Sequence, residues 1–127
     1  MGPMRRSICV VDDDESVRKA LGRLLRSLRM DAETFATAEE YLQRAAPLPP
    51  DCLILDVHLP GLSGLELQKR LTAGGCDVPV VFITAFADDT ARAQAFRAGA
   101  LAFLQKPFEE QLLLDAVNQA VAFHHGK

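Results

Sequence analysis

Apolar residues fall in two patterns that alternate along the chain. Ser7-Ile8-Cys9-Val10-Val11, Cys52 to Leu55, Val78 to Ile83 and Leu101 to Leu104 are short continuous runs. Such runs suit strands covered on both faces, as in parallel sheets. Asp31 to Phe35 is a weaker candidate of the same kind. Between the runs, apolar residues recur at helical spacing. From Ser16 to Arg29 they are Val17, Leu21, Leu24, Leu25 and Leu28, with Asp14 as the N-cap candidate. Thr37 caps a helix running to about Ala45, with Glu40 placed for a capping box, and Ala46 to Pro50 ends it. Ser63 caps the next, with Leu65, Leu67 and Leu71 inward and Gly74-Gly75 as the stop. Asp88 to Ala98 is Ala-rich and closes at Gly99. Glu109 to about His124 forms the last helix, with Leu112, Leu113, Ala116, Val117, Ala120 and Val121 inward. Strand alternates with helix throughout. That order predicts one α/β domain, a parallel sheet with right-handed crossovers and helices on both faces.

Composition narrows the class. At 127 residues, 49% hydrophobic and 24% charged, the chain can bury a core without a disulfide or metal staple. Its net charge of -3 argues against gripping nucleic acid by itself. No apolar run approaches the ~20 residues of a membrane span, and the N-terminus does not read as a signal peptide. Cys9, Cys52 and Cys76 are odd in number and widely spaced, with Cys9 and Cys52 inside apolar runs. They read as buried thiols, consistent with a reducing cytoplasm.

The candidate chemistry lies where the apolar runs stop. Ligands of open α/β sheets bind outside the carboxyl ends of the strands. The first run ends in Asp12-Asp13, the third in Asp56, the fourth in Thr84 and the fifth in Lys106-Pro107. Each has an ordinary explanation when taken alone: a helix-start acid, a turn former before Pro60-Gly61, a cap, a solvated lysine. Those explanations do not predict that all five fall at the same end of different strands. Clustered carboxylates repel one another unless compensated. Mg²⁺, which prefers oxygen donors, would compensate them. A lysine and a hydroxyl beside such a site could hold a phosphoryl group, for which an Asp is a competent nucleophile.

In this arrangement the chain resembles the receiver domain of two-component response regulators, from about Ser7 to Val121. Val10-Val11-Asp12-Asp13-Asp14-Glu15 resembles the acidic first-strand motif of that family, and Leu55 to Gly64 its phosphoacceptor motif. Ile83-Thr84-Ala85 and Gln105-Lys106-Pro107-Phe108 resemble the later two. The resemblance implies a flavodoxin-like (βα)5 three-layer sandwich with strand order 2-1-3-4-5, and one domain over 1–127 with its core at about 6–123. It implies Asp56 as phosphoacceptor. Mg²⁺ would be bound by Asp13, Asp56 and the His58 backbone carbonyl, with Asp12 acting mostly through water. Lys106 would pair with phosphoryl oxygens, and Thr84 would hydrogen-bond the phosphoryl group and move toward it. Phe103 stands at the place of the switch aromatic, so that the phosphate alters the face made by the fourth helix, fifth strand and fifth helix. His58 and Phe86 stand where side chains tune hydrolysis of the phosphoryl group.

The implied partners are a sensor histidine kinase and an output domain or downstream protein. The pattern looks like receivers of the FixJ type, which usually precede a helix-turn-helix DNA-binding domain; none is read in these residues. Homodimerisation through the last helices on phosphorylation is a further expectation, and the cytoplasm is the expected location. Two other classes fit the pattern less well. A Mg²⁺-dependent aspartate-nucleophile phosphohydrolase tends to need a second Asp two residues after the nucleophile, where this chain has His58. A flavodoxin-like cofactor carrier needs a phosphate-cradling loop after the first strand, where this chain has acids.

Overall fold

The computed structural model describes residues 5–44, 48–86 and 88–125, the side chains of residues 124 and 125 excepted. Five strands alternate with five helices: β1 Ser7–Val11, α1 Glu15–Ser27, β2 Asp31–Phe35, α2 Ala38–Leu42, β3 Cys52–Asp56, α3 Gly64–Ala73, β4 Val80–Thr84, α4 Asp89–Arg97, β5 Ala102–Gln105 and α5 Glu110–His125. The sheet is parallel throughout, in the order β2-β1-β3-β4-β5. Strand order reverses at β1, so the carboxyl ends of β1 and β3 lie side by side, and β4 and β5 follow.

The continuous apolar runs are explained by the two cores. Successive strand residues point to opposite faces. Cys9, Val11, Leu53, Leu55 and Phe82 pack with residues of α2, α3 and α4. Ile8, Val10, Ile54, Val81 and Ile83 pack with α1 and α5. The interior of each central strand, β1, β3 and β4, is therefore apolar on both faces. Cys9 and Cys52 are buried, one in each core. Burial pushes the Cys9 thiol up to about 12, against a smaller opposing pull from Arg44, so it stays an unreactive neutral side chain.

Helix starts agree with the sequence pattern. Asp14, Thr37, Ser63 and Asp88 are the N-caps of α1 to α4. The box expected at Thr37 shows its Thr half, with the Glu40 N–H donating to Thr37 Oγ1 at 3.0 Å. A complete box closes at Ser63 and Glu66 instead. Other expectations are corrected. Helix α2 ends at Leu42; the anticipated end at Ala45 lies outside the described residues. Strand β4 begins at Val80, not Val78. Leu112, expected inward, is exposed, and so is Leu28, the last apolar position of the first helical pattern. Each sits at the edge of an apolar arc whose centre, Leu113 in α5 and Leu25 in α1, fills the core.

Candidate functional site

Three strand ends bring the site together. β1 is followed at once by Asp12, β3 ends in Asp56, and Lys106 follows β5 directly. Lys106 Nζ lies 2.6 Å from Asp12 Oδ2 and 3.3 Å from Asp56 Oδ2, so one ammonium bridges two carboxylates. Asp12 is fully buried and Asp56 is 5% exposed. Asp13 is exposed, and one carboxylate oxygen from each of Asp12, Asp13 and Asp56 lies within 4.8 Å of the others. Three hard oxygen donors at that spacing are the donor set a divalent cation of the Mg²⁺ type takes.

The other oxygens of the two buried carboxylates are held by backbone. The Asp14 N–H donates to Asp12 Oδ1 at 2.9 Å, and the His58 N–H donates to Asp56 Oδ1 at 3.0 Å. Arg18 donates to the Asp12 carbonyl at 2.8 Å, tying α1 to the end of β1. Burial, and next the charge of Asp12, raise the pKa of the Asp56 carboxyl above its ordinary value. The His58 N–H and Lys106 oppose that shift without cancelling it. Burial alone would lower the pKa of Lys106, but its bond to Asp12 and the two negative charges raise it.

The turn after β3 is built by close contacts that were not anticipated as such. A Cβ on Gly64 would lie 2.2 Å from the Asp56 carbonyl oxygen, so α3 can start here only without a side chain. The Gly64 N–H donates to the Val57 carbonyl at 3.0 Å. Gly61 takes a positive φ of 72°. Beside it, the Glu39 carboxylate of α2 accepts the Leu62 N–H at 3.0 Å. Glu39 lies 23 residues away, and nothing in the local sequence marks it as a tether of this turn.

The remaining anticipated residues lie around this centre. Thr84 ends β4, fully buried, and its Oγ1 accepts the Phe86 N–H at 3.2 Å. Its hydroxyl is thus held by its own loop. The His58 and Phe86 rings meet edge to face at 5.3 Å. Phe103, in β5, is half-buried against Phe82, with ring centroids 6.1 Å apart. Two residues after Asp56, where an aspartate-nucleophile hydrolase would carry its acid, stands His58, with its side chain exposed.

Comparison with known proteins gives one answer. Residues 8–118 match the family model of the response regulator receiver domain. The chain is 42% identical over 118 residues to the transcriptional regulatory protein TdiR of Thauera aromatica, a match covering 93% of this chain and 52% of that protein. The chain spans about half the length of curated relatives it matches. Among solved structures, the response regulator StyR is 46% identical with a TM-score of 0.90, over 97% of this chain and 62% of that one. FixJ-N is 30% identical with a TM-score of 0.84, over 94% of this chain and 95% of that one.

Proposed function

Because the chain belongs to the response regulator receiver family, we propose that it is the phosphoacceptor switch of a two-component relay in which Asp56 takes the phosphoryl group. The observation that supports this most directly is the Asp12–Lys106–Asp56 bridge with Asp13 beside it. It sets a carboxylate nucleophile, a fixed cation and spare oxygen donors at one point of the rim. The donor is a phosphohistidine of a sensor kinase. A carboxylate oxygen of Asp56 attacks phosphorus, a P–O bond forms, and the P–N bond breaks with its electron pair leaving on the imidazole, which takes a proton from water. Lys106 is already positioned to pair with phosphoryl oxygens, so little reorganisation is needed.

The donor set fits Mg²⁺. Asp13, Asp56 and the His58 carbonyl would hold the ion, with Asp12 acting through water. When bound, it neutralises charge on the carboxylates and the phosphoryl group. Thr84 donates a hydrogen bond from its hydroxyl to a phosphoryl oxygen once it releases the Phe86 N–H. The space it leaves lets Phe103 turn inward, altering the face of α4, β5 and α5. That face acts on an output domain or a downstream protein, DNA-binding in the full-length regulator, or on a second copy of the chain. The module catalyses only its own phosphorylation and slow dephosphorylation, in the cytoplasm.

The test is labelling with acetyl phosphate and Mg²⁺, read by intact mass. The wild-type chain gains one phosphoryl group, chelation of the metal prevents this, and Asp56→Asn gains none. Labelling that survives in Asp56→Asn removes the assignment.

A further inference from the structure

The loop that follows Asp56 is held firmly at both ends and sparsely between them. At its start the Val57 N–H donates to the Ile83 carbonyl at 3.1 Å, and the His58 N–H to Asp56 Oδ1 at 3.0 Å. At its end Ser63 closes the capping box of α3 with Glu66. Between these points the Leu59 side chain is buried in the core, whereas Pro60 and Gly61 are exposed. Among the described residues, the bond from the Leu62 N–H to Glu39 Oε2, at 3.0 Å, is the one hydrogen bond that ties residues 59–62 to another element.

That contact has its own supports on both sides. A Cβ on Gly61 would lie 2.7 Å from Glu39 Oε2, and its φ of 72° is one that side-chain-bearing residues rarely adopt. The loop therefore comes this close to α2 because a glycine stands there. On the other side, Ala38 and Tyr41 of α2 are buried in the core, so the Glu39 carboxylate is offered from a fixed base. The Leu62 N–H, and next the N–H of Glu39 itself, hold the pKa of Glu39 below the ordinary carboxylate value. The acceptor is thus charged, which makes the bond one of the stronger kind.

We propose that Glu39 is a positioning residue for the metal site: by holding the tip of this loop it keeps the His58–Leu59 peptide, whose carbonyl is proposed above as a ligand of Mg²⁺, ready for the ion. The inference rests on the phosphoacceptor reading. The peptide lies between the anchor at Asp56 and the anchor at Glu39. A loop already held on both sides loses little freedom when an ion binds. Released at Glu39, it must be ordered by the ion itself, and affinity falls. Residues that orient metal ligands from outside the coordination sphere act in this way.

The test compares wild type with Glu39→Ala, Glu39→Gln and Glu40→Ala, the last removing the same charge one residue along α2. Mg²⁺ is titrated into each ¹⁵N-labelled chain, and exchange of the Leu62 amide with water is measured without the ion. Glu39→Ala should exchange that amide faster and bind Mg²⁺ about fivefold more weakly, a modest loss for an orienting contact. Glu39→Gln, whose side-chain oxygen can still accept the N–H, should regain most of the affinity. Glu40→Ala should bind as wild type does. In acetyl phosphate labelling, Glu39→Ala should need more Mg²⁺ by the same factor for its half-maximal rate, and reach the wild-type rate once saturated. The proposal is overturned if Glu39→Ala keeps wild-type Leu62 exchange or Mg²⁺ affinity, if Glu40→Ala weakens the ion equally, or if Glu39→Gln does no better than Glu39→Ala. A wild-type chain that binds no Mg²⁺ overturns the phosphoacceptor reading and this inference together. Equal binding by wild type and Glu39→Ala overturns this inference alone.

Discussion

The Asp56 carboxyl sits in a place that disfavours its charge. Burial and Asp12 raise its pKa above the unfolded value of about 3.9. Between that value and the raised one, the folded chain holds a proton that the unfolded chain has lost. Stability therefore falls as pH rises through that interval and stays lower above it. In metal-free buffer, Asp56→Asn should melt at a higher temperature than wild type at pH 7, and the gap should close as pH falls below about 4. Mg²⁺ should raise the wild-type midpoint more than that of the variant. Thermal melts across pH, with and without the ion, check this; equal midpoints at every pH would show that the charge carries no cost. The acids and the lysine were legible because each interrupts or follows an apolar run. Their pairing was not. Lys106 and Asp12 are 94 residues apart, and only the strand order brings them together. Nor could sequence show that the Thr84 hydroxyl is engaged by the Phe86 N–H, which depends on the path of one loop.

The strands and most helix boundaries were readable because they rest on local signals, namely apolar period, caps and glycine stops. Arg29 shows where such signals end. It takes a positive φ of 62°, and the next residue, Met30, donates back to the Leu25 carbonyl. Gly75 and Gly99 take the same conformation after α3 and α4. Glycine advertises such an ending and arginine does not. Leu112 was misplaced for a related reason: helical spacing defines an arc but not its edge. Gly64 carries the clearest consequence at this level. Gly64→Ala forces the new methyl against the Asp56 carbonyl, so α3 or the end of β3 must shift. The expected loss is about 1–3 kcal/mol, as for other overpacked sites. Denaturant unfolding measures it, and acetyl phosphate labelling should slow in parallel because the backbone of Asp56, the proposed nucleophile, is displaced. An unchanged midpoint would mean the turn yields more easily than its geometry indicates.

Across the whole domain, β5 is joined to the core beneath it by side chains already in contact. Phe103 lies beside Phe82, which fills the core on the face covered by α2, α3 and α4. Addition of beryllofluoride with Mg²⁺, a stable mimic of the phosphoryl group, should bury the Phe103 ring further. Ring resonances followed by NMR, or quenching of a Phe103→Trp reporter, would register the change. A ring whose environment stays constant would remove Phe103 from the switch.

The bridge from Asp12 to Lys106 also has a meaning in time. A ribosome releases the chain from its amino end, so Asp12, Asp13 and Asp56 emerge well before the lysine that completes their site. Until β5 has left the exit tunnel and docked beside β4, the nascent chain carries its acids without their cation. On the proposed function, a partly made copy therefore offers a phosphodonor no finished acceptor. On that reading, phosphorylation waits until the last strand is in place.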